Sequence, residues 1–305
     1  MTSKWRKFGR LFEPPAVARH PLLASHAANP LPVLMGGDVY RVFFSGRDQY
    51  NRSSVGAVDV DIEKRLVVQQ HTAPFFTYGP ENSFFAAGVS VGNCYVANGI
   101  RYMLFMGWQC PDGGHWRGDI GRLVVKGDFM LELDGEKPYL ASDAVDPIST
   151  SYPWVSGSAA EGFRMWYGST SKWDAGNGEM LHVINQATST DGQRWVREGL
   201  AIPYVLGVAQ AFSRPTVIGC DATGYEMWFS YRGDAQTKYR IGYASSGDGR
   251  SWELRLTDSN IDVSSAGWDS EMIEYPFVLD HKGGRYMFYN GNGYGQTGFG
   301  LAVLE

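Results

Sequence analysis

Carboxylates, guanidinium groups, amides and indole rings recur at matching places along this chain, and that combination suits a sugar. Cleaving a glycosidic bond ordinarily takes two carboxyl groups, and Glu274 and Asp48 are the candidates. Arg47, Arg52, Arg214 and Arg232 offer planar forks that match paired hydroxyls, a carboxylate or a phosphate. Asn29, Asn290, Asp269 and Glu271 add hydrogen-bonding groups, and His26 adds an imidazole. Trp108, Trp173 and Tyr152 supply rings that can cover the C–H face of a pyranose.

These residues fall at repeated positions of a repeated element. An aromatic residue followed by an alternating apolar run and a small residue starts at Tyr40, Tyr102, Phe163, Tyr225 and Tyr286, with spacings of 62, 61, 62 and 61. Ten residues before each start stands Pro30, Gly92, Pro153, Pro215 or Pro276. Between the two markers lie glycine-bearing turns, at Gly36-Gly37, Asn98-Gly99, Glu161-Gly162, Thr223-Gly224 and Gly283-Gly284, so each unit opens with a hairpin. Third strands follow, as at Ile241-Gly242-Tyr243-Ala244. The Ser-x-Asp-Gly-x-x-Trp turns at Ser189 and Ser246 lead into fourth ones. Five units of four antiparallel strands predict an all-β, five-bladed β-propeller filling residues 1–305 as one domain. A β-sandwich has no reason to keep such a period. The last unit ends after three strands, so the segment from Trp5 to Phe12 is expected to supply its outer strand and close the ring.

In such a ring the first strand of each blade lines the central channel, which directs attention to the residues just before the recurring Pro or Gly. The five stretches there differ in chemistry although the scaffold repeats, as an asymmetric ligand site requires. Glu271 and Glu274 are three apart on a strand and face opposite sides, so at most one meets the channel. Trp166, Trp195, Trp228 and Trp252 sit at repeated strand or turn positions and read as packing between blades. Asp191 and Asp248 read as turn carboxylates that accept backbone N–H bonds. His71, His115, His182 and His281 read as surface or loop residues.

A net charge of −5 at pH 7 argues against a nucleic-acid surface. No uncharged apolar run approaches the length of a membrane span, and no apolar signal segment follows the first residues. The 3 cysteines cannot all pair within one chain and have no zinc spacing, so a cytoplasmic protein is expected. No cofactor or metal is expected. A divalent ion on the ring axis is compatible with the spacing but not demanded by it.

The five-unit count, the Ser-x-Asp-Gly-x-x-Trp turns and the runs Tyr40 to Asp48, Arg214 to Ile218 and Trp268 to Pro276 carry a resemblance. The chain resembles the five-bladed propeller glycosidases, a superfamily of arabinanases, β-xylosidases, invertases, levansucrases and β-mannoside phosphorylases. It looks most like the uncharacterised glycosidase-like propellers that accompany bacterial surface-polysaccharide genes. The resemblance implies a base Asp before the first Pro and a tuning Asp before a middle one, where this chain has Asn29 and Tyr152. An acidic pair is also implied in the second unit, where this chain reads Phe84-Phe85-Ala86-Ala87-Gly88-Val89. Only Glu274 keeps an acidic group at a comparable place, two residues before Pro276.

Three expectations follow. A hydrolase or transglycosidase needs Glu274, as general acid, and Asp48, as base or nucleophile, facing one funnel. A phosphate-dependent enzyme acting on a glycoside or sugar phosphate needs arginines converging on an open spot. A glycan-binding propeller without catalysis would show one carboxylate or none.

Overall fold

The computed structural model describes residues 4–15, 20–220 and 222–305, leaving out the side chain of Cys220. Its regular elements are strands and three short 3-10 turns. Strand β1 (Trp5–Phe12) precedes blade one, which is β2 (Ser25–Gly36), β3 (Val39–Arg47), β4 (Ser53–Asp61) and β5 (Leu66–Gln70). Blade two is β6 (Gly88–Ala97), β7 (Ile100–Gln109), β8 (Arg117–Val125) and β9 (Leu131–Leu133). Blade three is β10 (Ser149–Ser158), β11 (Gly162–Lys172), β12 (Leu181–Ser189) and β13 (Val196–Leu200). Blade four is β14 (Ala211–Cys220), β15 (Gly224–Arg232), β16 (Arg240–Ser246) and β17 (Glu253–Leu254). Blade five is β18 (Glu274–His281), β19 (Gly284–Asn290) and β20 (Phe299–Leu304), completed by β1 pairing antiparallel with β20.

The inner strands meet in a closed cycle, β2 against β6, β6 against β10, β10 against β14, β14 against β18 and β18 against β2. This is the five-bladed propeller that the period of the sequence requires. Its closing blade is tied by Lys7, whose Nζ donates to Asp269 Oδ2 at 2.8 Å and to Ser264 Oγ at 3.3 Å. No helix is long and apolar enough to cross a membrane.

Blades adhere through the recurring aromatic residues. Trp5 meets Trp228 edge-on at 5.9 Å between blades five and four, and Trp166 meets Trp252 the same way between three and four. Tyr95 and Phe163 join blades two and three. Trp166 is fully buried and Trp228 and Trp252 nearly so, as expected of packing residues. Such pairs contribute about 0.5–1.5 kcal/mol beyond the area they bury. The Ser-x-Asp-Gly turns behave as expected too. Asp248 Oδ1 accepts from the backbone N–H groups of Arg250 and Ser251, which holds its carboxyl down at about 2.

Each inner strand carries an extra residue relative to its neighbour at an equivalent place, and β2 carries two more irregularities, between Ser25 and Ala28 and between Leu34 and Gly36. The register slips between Ala28 and Leu31, Val91 and Cys94, Ser151 and Trp154, Ser213 and Thr216, and Glu274 and Phe277. In four of them the residue before proline has left-handed backbone, Asn29 at φ 57°, Tyr152 at 41°, Arg214 at 47° and Tyr275 at 52°. Residues before proline ordinarily avoid that region, and holding one there costs roughly 1–3 kcal/mol. The bulge bends the strand and re-aims one side chain toward the axis.

Candidate functional site

At one end of the axis the ring opens into a cavity of about 500 Å³. Its wall is drawn from all five blades, counting the loops that follow their strands. Ala28, Asn29, Ser45, Arg47, Asn51 and Ser53 come from blade one, and Ser90, Met106, Trp108, Cys110 and Trp116 from blade two. Tyr152, Met180 and His182 come from blade three, Phe212, Ser213, Arg232 and Tyr239 from blade four, and Tyr275 and Tyr294 from blade five. A wider groove of about 770 Å³ runs along β1 and residues 256–264, lined by Lys4, Lys7 and Arg240, of which Lys7 and Arg240 are already paired with Asp269 and Asp262.

Five sequence-predicted residues line the cavity. Trp108 is half-buried, and its Nε1 donates to Ser53 Oγ at 3.0 Å. It lies so close over Gly88 that a Cβ there would come within 2.4 Å of Nε1, so only glycine lets the indole settle against the inner strand. Asn29 is nearly buried and its Oδ1 has no partner. Tyr152 faces Tyr275 across the floor, hydroxyl to hydroxyl at 3.4 Å. The side chain of Arg47 makes no hydrogen bond or ion pair among the described residues. Arg232 does, since its Nη2 donates to Glu179 Oε1 at 3.0 Å. Its Nε also lies 2.7 Å from Oε2, a charge contact with the N–H off line.

The other sequence-predicted residues lie elsewhere, and each correction has a local cause. Asp48, the expected base, caps its own turn. Oδ1 accepts from the backbone N–H of Tyr50 and of Arg52, and Oδ2 takes the Arg52 guanidinium. Arg52 is thereby held to Asp48 and stacks 4.1 Å over the Tyr78 ring, away from the cavity. His26 turns to a minor crevice between Phe12 and Phe44, bonded to Ser25 Oγ at 2.9 Å, and burial lowers its pKa to about 4. Asp269 is the buried end of the Lys7 tie and also accepts from Tyr289 Oη at 3.1 Å. Glu271 is exposed outside the ring, its N–H donating to Asn292 Oδ1. Asn290 is fully buried and joins blade five to blade one, its Nδ2 donating to the carbonyl of Ala27 at 2.8 Å. Trp173 stacks on His115 at 4.6 Å and meets Trp116 edge-on at 5.1 Å, so it supports a lining residue without lining the cavity.

Arg214 is the largest departure. It lies across the axis as the cross-link of the ring, Nη2 donating to the carbonyl of Pro30 at 2.8 Å and of Gly92 at 3.4 Å, and Nη1 to that of Tyr275 at 3.4 Å. Three other blades are thus fastened to blade four by one side chain. Burial pulls its pKa down to about 9, leaving it a cation at neutral pH. Trp154 and Phe277, 4.9 Å apart, lie across the same axis. No cluster of three or more His, Cys, Asp or Glu suited to a metal occurs among the described residues.

Glu274 is fully buried, outside the residues that line the cavity, and neither carboxyl oxygen has a hydrogen-bond partner. It lies within the fields of Arg47, Arg232, Tyr239 and Tyr275. Burial outweighs those two cations and raises its pKa well above the usual carboxyl range, which favours the protonated form. The extra residue of the β18 bulge lies between Glu274 and Phe277, and Tyr275, with its left-handed backbone, lines the cavity where Glu274 does not.

His182, expected on the surface, is instead part of the wall. It is buried between Ser151 Oγ and Thr170 Oγ1, at 2.7 Å from each, and burial lowers its pKa to about 4. Gly168 makes room for this pair, since a Cβ there would fall 2.2 Å from Ser151 Oγ. His281 is likewise buried, against Tyr40 and Asp38. Trp116, Met180 and Tyr239, missed from sequence, each stand immediately before a third strand, at β8, β12 and β16. The recurrence of third-strand entries is the signal that would have found them.

No family model matches the sequence. The uncharacterised protein Rv1502 of Mycobacterium tuberculosis strain H37Rv is 42% identical over 303 residues, 99% of each chain, and its counterpart in strain CDC 1551 gives the same figures. The chain belongs to the family of that protein. Solved structures extend the likeness at the level of fold. A glycosyl hydrolase from Bacteroides ovatus superposes with a TM-score of 0.72 at 13% identity, over 99% of this chain and 94% of that one. A second comes from "The GH130 family of mannoside phosphorylases contains glycoside hydrolases that target beta-1,2 mannosidic linkages in Candida mannan". It gives a TM-score of 0.70 at 12% identity, over 99% and 93%. This family therefore shares the five-bladed fold of glycoside hydrolases and phosphorylases. In this member the cavity wall holds no Asp or Glu among the described residues.

Proposed function

We propose that the axial cavity binds a saccharide and that the protein does not hydrolyse glycosides by the two-carboxylate route. One observation carries this reading: no carboxylate among the described residues lines the cavity, and Asp48, which would have to serve as base, is spent on its own turn and Arg52. Two carboxyl groups roughly 5–10 Å apart across the scissile bond are needed for that chemistry. A saccharide is favoured by the company of Trp108, Trp116, four tyrosines, Asn29, Asn51 and four serines in one concave wall.

A second reading has an observation in its favour. Glu274 is unpartnered, and burial raises its pKa in the direction a general acid needs. With phosphate as nucleophile no protein base is needed. A phosphate oxygen would bond to the anomeric carbon, the glycosidic C–O bond would break, and the departing oxygen would take the Glu274 proton. The two readings separate in a screen of aryl glycosides and oligosaccharides for turnover, with and without phosphate, run beside calorimetric binding. Binding without turnover is the expected result. Phosphate-dependent turnover that is lost in Glu274→Gln favours the second reading, and phosphate-independent hydrolysis contradicts the first.

A further inference from the structure

We propose that the saccharide is acidic, carrying one carboxylate that sits on Arg47. This rests on the cavity binding a sugar at all, and adds what kind.

The charges of the wall decide it. Arg47 and Arg232 are its two guanidinium groups among the described residues. Arg232 is neutralised by Glu179, a nearly buried carboxylate on blade three that faces it with both oxygens. Arg47 has no such partner among the described residues, and no carboxylate lines the cavity to supply one. The groups facing Arg47 from neighbouring elements are His26, Tyr152 and Glu274. None of the three pairs with it: His26 and Tyr152 are neutral at pH 7, and Glu274, its pKa raised by burial well above the usual carboxyl range, makes no ion pair or hydrogen bond to Arg47.

The protein as a whole is acidic, at −5, yet this half-buried cation is left uncompensated. A guanidinium fork matches a carboxylate with two parallel N–H bonds, a geometry that neutral hydroxyls use less well. One free guanidinium matches one negative charge. The second charge of a phosphate would find Arg232 already engaged.

The rest of the wall provides for the ring that carries the charge. Asn29 Oδ1 and Ser213 Oγ are buried, unpartnered and part of the lining, so they can accept from or share with sugar hydroxyls. Trp108 stands next to Ser53 and Ser90 on the Arg47 side, offering a face for the pyranose.

The test compares matched pairs differing only at C6, methyl glucuronide with methyl glucoside and methyl galacturonide with methyl galactoside, together with their short oligomers. Binding is followed by calorimetry and by tryptophan fluorescence at low and at 0.5 M salt. In the parent protein the acidic member of at least one pair binds about 10-fold or more tightly, and the preference shrinks with salt. In Arg47→Gln, checked for an unchanged thermal transition, the ratio falls below about 2-fold. In Arg47→Lys it is intermediate. Neutral sugars binding as well as acidic ones in the parent overturns the inference and leaves the sugar site standing. Sugar 6-phosphates or inorganic phosphate binding more tightly than any uronide overturns the carboxylate. Binding of none of these sugars overturns both the inference and the reading beneath it.

Discussion

His182 makes the stability of the cavity wall depend on pH in a way that can be worked out and isolated. Its ring lies between two hydroxyls, with no carboxylate to favour the imidazolium, and burial lowers its pKa from 6.5 to about 4. Below 6.5 the unfolded chain takes up a proton that the folded chain refuses, so the unfolded state gains as pH falls. Stability from this group is complete above pH 6.5 and is lost as pH drops toward 4. With about 1.4 kcal/mol per unit, the loss between pH 7 and 4.5 is about 2 to 3 kcal/mol. The perturbation is His182→Gln, which keeps a polar reach to Ser151 and Thr170 without titrating. Urea unfolding of parent and variant at pH 7, 5.5 and 4.5 gives their difference at each pH, from which every other titrating group cancels. The gap should shift in favour of the variant by that amount on acidification. Curves that stay parallel within about 0.5 kcal/mol would refute the reasoning.

Other residues yield sharper yes-or-no outcomes. Arg214→Met strips the carbonyls of Pro30, Gly92 and Tyr275 of their donor and should cost about 3 kcal/mol in urea unfolding, because three blades lose their link to the fourth. Lys7→Met leaves buried Asp269 without its cation, and a loss of about 2 kcal/mol is expected, read as a lower melting temperature. Trp108→Ala should weaken the tightest-binding sugar by about 10-fold in calorimetry, while Asp48→Asn, outside the cavity, should change it by less than about 2-fold. A large effect of Asp48→Asn on affinity would return that residue to the site.

The fold was legible because a propeller imposes its period on the sequence. Each blade must bury both faces against its neighbours, so the aromatic strand from Tyr40 to Tyr286 repeats, and the unpaired fifth unit calls for the Trp5 strand. The site was legible only where it follows the same rule. Asn29 and Tyr152, before the prolines, and Arg47, Trp108 and Arg232, after or near the ends of the second strands, line the cavity. Phase was lost at the bulges. One extra residue moved Tyr275 into the wall and Glu274 behind it. Chemical type also misled. Asp48, Asp269, Asn290 and Arg214 look like ligand-binding groups by type, yet their partners are a turn, a lysine, and backbone carbonyls of other blades. Composition at a rim does not reveal which polar groups the scaffold itself consumes.

Where a sugar lies, and what surrounds its glycosidic oxygen, decide between binding and cleavage. A crystal structure of the protein with its tightest-binding oligosaccharide measures this directly. The expected result is a pyranose against Trp108 in the axial cavity, with no pair of carboxylates straddling any glycosidic bond. A sugar bound outside the cavity, or one whose glycosidic oxygen lies between Glu274 and a second carboxylate in reach, would contradict it.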